Sequence, residues 1–245
     1  MAQDDSRPFL GNAAARCLFL HRHGLAGDPA GASGIAGLAD VIGRLGFVQL
    51  DSVNTVERAH HMILAARRPA YRQANLATLT ERQRGLFEHW THDASFIPIE
   101  FYPHWRFRFE RDKVRLADRW KKWRRDGFEA KFDEVLDHVA KHGPIMARDL
   151  GDGEARSNQG WWDWHPSKTA LEYLWRTGAL AIKQRRGFQK VFDLTERVIP
   201  PDILAVEPAP EETIHWAAST AMDRLGFATS GEIAAFWETI TAAQA

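Results

Sequence analysis

The sequence predicts a mostly α-helical chain with small β-hairpins, arranged as tandem winged helix-turn-helix units. Three observations point there. Apolar residues recur at three- and four-residue spacing through most of the 245 residues, with glycine or proline closing the runs. Strand-like text is short: a two-residue period at 47–52, an aromatic and isoleucine-rich stretch at 88–101, and two runs around Arg186 and Gly187. Between residues 129 and 201 the order is helix, helix, helix, hairpin. In that winged-helix order the third helix can enter a major groove while the hairpin meets backbone.

In chain order, NAAARCLFLHRHGL and SGIAGLADVIGRLG are two short helices separated by glycine. Phe47, Gln49 and Asp51 then alternate with Val48, Leu50 and Ser52 between Gly46 and Asn54, which suits an extended segment. A helix returns in TVERAHHMILAARR, ended by Pro69, and a shorter one fits ANLATLTERQRGLF. EHWTHDASFIPIEF reads as a strand closed by Pro98 and Pro103, so residues 1–103 form a first winged-helix-like unit. Residues 104–128 form one basic linker helix. Trp105, Phe109, Leu116, Trp120 and Trp123 make a packing stripe, and Arg108, Arg111, Arg115, Arg119 and Lys122 make a neighbouring one. The window 101–131 holds 11 Lys or Arg against 5 Asp or Glu. The basic stripe is either free to meet phosphate or a solvated face bridged to Glu110, Asp112 and Asp118.

Residues 129–201 are the second unit: FEAKFDEVLDHVAKHG, the short helix PIMARDLG, the third helix SKTALEYLWRTGAL, and the hairpin LAIKQRRGFQKVFDLTE. Residues 211–245 open like the second unit and stop early. A truncated third unit, or helices that cap the rest, are the two expectations.

Lys and Arg balance Asp and Glu at 32 each, so any nucleic-acid signal must be local. With Cys17 as the single cysteine, no intramolecular disulfide forms. The first residues lack a basic segment followed by an apolar one, so a cytoplasmic setting is expected. No run of about eighteen apolar residues exists, and no membrane contact is expected. His60, His61, Glu88, His89 and His92 match no HExxH or Cys/His spacing, so no metal and no cofactor is expected. Nothing indicates an obligate protein partner.

Three stretches spanning most of residues 40–201 carry a resemblance: GFVQLDSVNTVERAHHMILAAR, LFEHWTHDASFIP and GWWDWHPSKTALEYLWRTGALAIKQRRGFQKVFDLTERVIP. Together they resemble the winged-helix DNA glycosylases of the AlkZ/YcaQ family, bacterial enzymes of interstrand crosslink repair. That family's catalytic signature is Gln, an apolar residue, then Gln or Asp. Here it reads Gln49, Leu50, Asp51, the YcaQ-like form. Members typically carry three winged-helix units and a C-terminal β-rich region, most of which has no counterpart here. The resemblance implies a partner, double-stranded DNA containing alkylated or crosslinked guanine, and action at the nucleoid. It also implies that Asn54, Arg58, His60, Trp90 and His92 line a DNA cleft, against the alternative of a packed helix face with a buried Trp. Asn54 or Asp51 could equally cap the following helix. Arg111, Arg115 and Arg119 are candidate phosphate contacts, as are Lys168 beside the third helix and Lys183, Arg185 and Arg186 on the wing; cationic hairpin tips are also a default for soluble proteins. Trp161, Trp162 and Trp164 suit a small satellite core more than base stacking.

If 47–52 is extended, Gln49 and Asp51 share a face; if helical, they lie about 200° apart. N7-alkylation makes a purine a cation, which leaves without protonation as an oxocarbenium ion builds on the sugar. An anion under the sugar and a held water are then the useful groups. Asp51 would supply both, with Gln49 orienting the water. No lysine occurs before Lys113, which favours a monofunctional hydrolase over Schiff-base chemistry. The alternative is a winged-helix transcriptional regulator without catalytic activity.

Overall fold

The computed structural model describes residues 9–26, 34–124, 127–150 and 165–245. Helices dominate, with two small three-stranded antiparallel sheets among the described residues. After α1 (Asn12–Arg22) and α2 (Gly34–Leu45) comes β1 (Val48–Gln49). Residues 50–58 form a loop, and the helix expected from Thr55 begins at Ala59 as α3 (Ala59–Arg67). Next, α4 (Gln73–Ala77) runs into a π-helical turn, Thr78–Arg82.

The strand expected at 88–101 is a hairpin, β2 (Leu86–Trp90) and β3 (Ala94–Pro98), in a sheet of order β1-β3-β2. Its turn is held by the backbone and the side chain of Asp93. The Thr91 N–H donates to the Asp93 carbonyl at 2.9 Å, and the Asp93 carboxylate accepts the Ala94 N–H at 2.7 Å. Leu38, Ile42, Leu64, Leu76 and Leu79 close over this sheet as a local core.

Pro103 opens a helix instead of closing a strand, since the first turn of α5 (Tyr102–Arg124) needs no proline N–H. Trp105, Phe109, Leu116 and Trp120 are buried along it, the packing stripe of the sequence. The neighbouring stripe departs from expectation at Arg108. It is 0% exposed, ion-paired with Asp112, and donates to the carbonyls of Thr91 at 2.8 Å and Trp237 at 2.7 Å. A buried charge must be paired and hydrogen-bonded, and this one is, so it faces no phosphate.

The second sheet has order β4-β6-β5. After α6 (Phe132–His142), the segment expected as a short helix is an edge strand, β4 (Ile145–Met146), followed by one 3-10 turn, Ala147–Asp149. Ile145 and Met146 are both buried, and the Asp149 carboxylate accepts the Met146 N–H at 3.0 Å. Trp161, Trp162 and Trp164 lie outside the described residues. Then α7 (Pro166–Arg176) starts from an N-cap at His165, whose ring accepts the Lys168 N–H. It leads to the hairpin of β5 (Leu180–Arg186) and β6 (Gln189–Leu194).

Short α8 (Thr195–Val198) and α9 (Pro201–Leu204) precede α10 (Pro210–Leu225) and α11 (Ser230–Trp237). Ala217, Ala221, Ile233 and Trp237 join Phe87, Ile97 and Trp105 in one core, so the last two helices are built against α5 and the first sheet.

Candidate active site

The Gln49–Asp51 pair is set by how the chain leaves α2. Gly46 caps that helix at φ 88°, and a Cβ there would fall 2.6 Å from Arg224 Nε and 2.8 Å from the Trp237 ring. Only glycine fits. The chain then extends: Val48 lies opposite Phe96, Gln49 opposite Ser95, and the Leu50 N–H donates to the Ala94 carbonyl at 2.7 Å. Val48 and Leu50 enter the core, while exposed Gln49 and half-buried Asp51 take the other side of the backbone. That alternation is the physical reason two polar residues stand in an apolar run.

Asp51 lines a cleft of about 1090 Å³. Leu50, Ser52, the β2–β3 turn, α5, the 3-10 turn at Ala147–Asp149, α7 with its cap His165, the β5–β6 hairpin and Glu238 supply the rest of its walls. Seven lysine or arginine side chains line it against four carboxylates, a cationic groove on a neutral chain. Of the residues expected to meet DNA, Trp90, His92, Arg115, Arg119, Lys168 and Arg185 line this cleft with Asp51. Gln49, Asn54, Arg58, His60, Arg111, Lys183 and Arg186 do not.

Each of those seven has a definite place. Gln49 is exposed next to Leu50, which does line the cleft. Asn54 is exposed in the loop after Asp51, and Arg186 is exposed at the hairpin tip. The Arg58 guanidinium lies 4.2 Å over the Phe188 ring. Arg111 donates to the Glu238 carbonyl and lies 3.7 Å from Asp112. Lys183 pairs with Asp193 at 3.0 Å. His60 is 3% exposed, and its Nδ1 accepts the Asp51 N–H at 3.4 Å.

Arg185 lines the cleft but is committed elsewhere as well. Its Nε and Nη2 grip Glu88 at 2.7 and 2.6 Å, a bidentate pair that joins β5 to β2. Arg176 likewise lies 4.4 Å over the Trp90 ring and bonds Asp112 at 3.3 Å, while Arg115 reaches Asp112 at 3.2 Å. Lys190 pairs with Glu172 at 2.9 Å.

The Asp51 carboxylate is half engaged. Oδ1 accepts the Val53 N–H at 2.9 Å, and among the described residues Oδ2 has no partner. Burial, followed by the charges of His61, Arg58 and Arg185, pushes the His60 pKa down to about 4. His60 is therefore neutral at pH 7 and acts on Asp51 through its backbone.

Sequence reasoning passed over Phe188 and weighed Glu88 only as a metal ligand, not as the partner of Arg185. Phe188 sits with Gly187 in the two-residue hairpin loop, both at positive φ, and carries Arg58 and Arg185 on its ring at 4.2 and 4.4 Å. The signal was a bulky aromatic where the turn favours glycine or asparagine. The structure also weakens the argument from lysine position, since Lys168 and Lys190 reach the cleft from the second sheet's side. Among the described residues no group of three or more His, Cys, Asp or Glu side chains could hold a metal ion, and no helix is long and apolar enough to cross a membrane.

Comparison with known proteins adds two findings. The profile of the family described as DNA glycosylase AlkZ-like matches residues 42–245. Among solved structures, the Streptomyces sahachiroi DNA glycosylase AlkZ is similar with a TM-score of 0.64 at 15% sequence identity, a likeness of fold. The match covers 94% of this chain and 62% of that one, so the chain spans less than two thirds of the Streptomyces protein's length.

Proposed function

Because the chain belongs to the AlkZ-like DNA glycosylase family, we propose that it hydrolyses the N-glycosidic bond of N7-alkylated purines, bulky or crosslinked guanine adducts included, in duplex DNA. One observation carries this reading: Asp51 leaves an extended segment on its outward side, into a cationic cleft, with one carboxylate oxygen unpartnered among the described residues.

The cleft's cations attract the phosphate backbone. The cationic base departs without a general acid, so no protonated group is needed at the leaving atom. Asp51 Oδ2 stabilises the positive charge growing on the deoxyribose and accepts a proton from the attacking water. Gln49, two positions away on the same side of the strand, orients that water through its amide. His60 steadies the backbone under Asp51 and stays neutral, so it adds no positive charge opposing the oxocarbenium ion.

The test is release of 7-methylguanine from alkylated duplex under single-turnover conditions. Asp51→Asn should reduce it to background while DNA affinity stays within a few fold, and undiminished release would remove Asp51 from the chemistry. With Lys168 and Lys190 at the cleft, borohydride trapping is the second arm. No protein–DNA adduct is expected, and a trapped adduct lost in Lys168→Ala would replace hydrolysis by Schiff-base chemistry.

A further inference from the structure

Leu50, Arg185 and Phe188 line the cleft and also a second cavity of about 320 Å³, at the lower end of the range of about 300 to 1,000 Å³ for small-molecule sites. The three side chains are a shared wall. The cavity lies between the first sheet with α4 and the β5–β6 hairpin, and its surfaces are largely apolar: Leu76, Phe96, Ile182 and Phe188. Its polar side chains are mostly engaged. The Thr80 hydroxyl donates to the Leu76 carbonyl, Glu88 holds Arg185, the Gln73 amide donates to Glu57, and His61 bonds the Tyr71 hydroxyl.

His60 differs. Its Nδ1 accepts the Asp51 N–H, which puts the proton of the neutral ring on Nε2, and Nε2 has no partner among the described residues. This donor is not sealed in protein: His60 lines the cavity, so an acceptor on a ligand seated there can reach it.

We propose that this cavity seats a purine base, the guanine that leaves the sugar beside Asp51, with its ring carbonyl accepting from His60 Nε2. The assignment rests on the glycosylase reading for the source of the base, while the geometry points to the ligand class on its own: a narrow, largely apolar cavity suits a planar, aromatic ligand with an acceptor for His60 Nε2. His60 then joins the two places, its Nδ1 on the Asp51 backbone and its Nε2 on the base. A guanine still tied to the opposite strand cannot be turned out freely, so the cavity serves monoadducts and bases already released.

The probe is free 7-methylguanine, titrated against the chain by saturation-transfer difference NMR. The wild type and Asp51→Asn should both show saturable binding. Ala77→Trp and Ala74→Trp replace exposed residues of α4 at the cavity, so they fill it without disturbing a core. Each should weaken binding at least tenfold. No saturable binding to the wild type would overturn the proposal, as would unchanged affinity in both tryptophan variants with circular dichroism intact. Failure of the glycosylase reading is seen separately, in base release by Asp51→Asn, a measurement that leaves this titration untouched.

Discussion

Breaking the Glu88–Arg185 pair offers a quantitative test of how the two sheets are joined. Truncating one member of a buried ion pair costs about 3 to 5 kcal/mol, because the survivor keeps its charge without its partner. The two members are not equivalent. Arg185→Ala strands a carboxylate with 2% of its side chain exposed, which puts the loss near the upper end. Glu88→Ala strands a guanidinium that is 16% exposed, bonds the Phe188 carbonyl at 2.5 Å and lies over the Phe188 ring, which puts it near the lower end. At about 2 to 4 °C per kcal/mol for a chain of this size, Glu88→Ala should lower Tm by about 6 to 12 °C and Arg185→Ala by about 10 to 20 °C. Replacing both residues with leucine should recover most of the loss, since no charge is left buried. Calorimetric scans of the parent, the two alanine variants and the double alanine variant give the coupling directly. Single variants within about 2 °C of the parent and strictly additive effects would refute the buried clamp. If Arg185→Ala instead flattened the salt dependence of DNA binding, the residue would belong to the phosphate contacts.

The remaining predictions concern the cleft's charges and its buried histidine. Arg115→Glu and Arg119→Glu, both at the cleft, should each reduce the slope of log affinity against log salt by about 0.9 per lost phosphate contact, read by fluorescence anisotropy. Arg111→Glu, outside the cleft and tied to Glu238 and Asp112, should lower Tm with the slope unchanged, and an equal change of slope at all three positions would restore the continuous basic stripe. His60 has a folded-state pKa near 4 against an ordinary 6.5, so the unfolded chain binds more protons between those values. Stability is lost as pH falls from about 6.5 to about 4, by about 3 kcal/mol for a gap of this size. His60→Gln should shrink the acid limb of the Tm profile without abolishing it, because buried His89 is shifted in the same direction. An unaltered acid limb would mean that His60 is not held neutral.

The parts of the molecule legible in the sequence are those fixed by local spacing. Val48 and Leu50 flanking Gln49 gave the extended segment, and the three- and four-residue recurrence of Trp105, Phe109, Leu116 and Trp120 gave the buried face of α5. What was not legible depends on neighbours distant in the chain. Arg108 and Asp112 have the spacing of a surface i,i+4 pair, and the β2–β3 turn, Arg176 of α7 and the end of α11, the last more than a hundred residues later, bury them. The β2–β3 turn lacks glycine and proline; the Asp93 backbone and carboxylate close it, so the text reads as one strand. Arg185 sits where a wing cation usually meets backbone phosphate, and its partner Glu88 lies 97 residues earlier. The candidate site divides along the same line: Asp51 follows from alternation and His60 reaches it from nine residues away, whereas the cavity shared at Phe188 exists only once two sheets meet.

The brevity of β1 has a consequence for how this sequence can change. Two paired residues and one further ladder bond fix which side chains point inward, and strand geometry allows only two answers. Deleting or inserting a single residue between Gly46 and Leu50 would turn the carboxylate toward Leu38 and Ile42 and send an aliphatic outward, so the core and the proposed chemistry would be lost together. Selection acting on the core alone would therefore keep position 51 facing outward, whatever residue it carries.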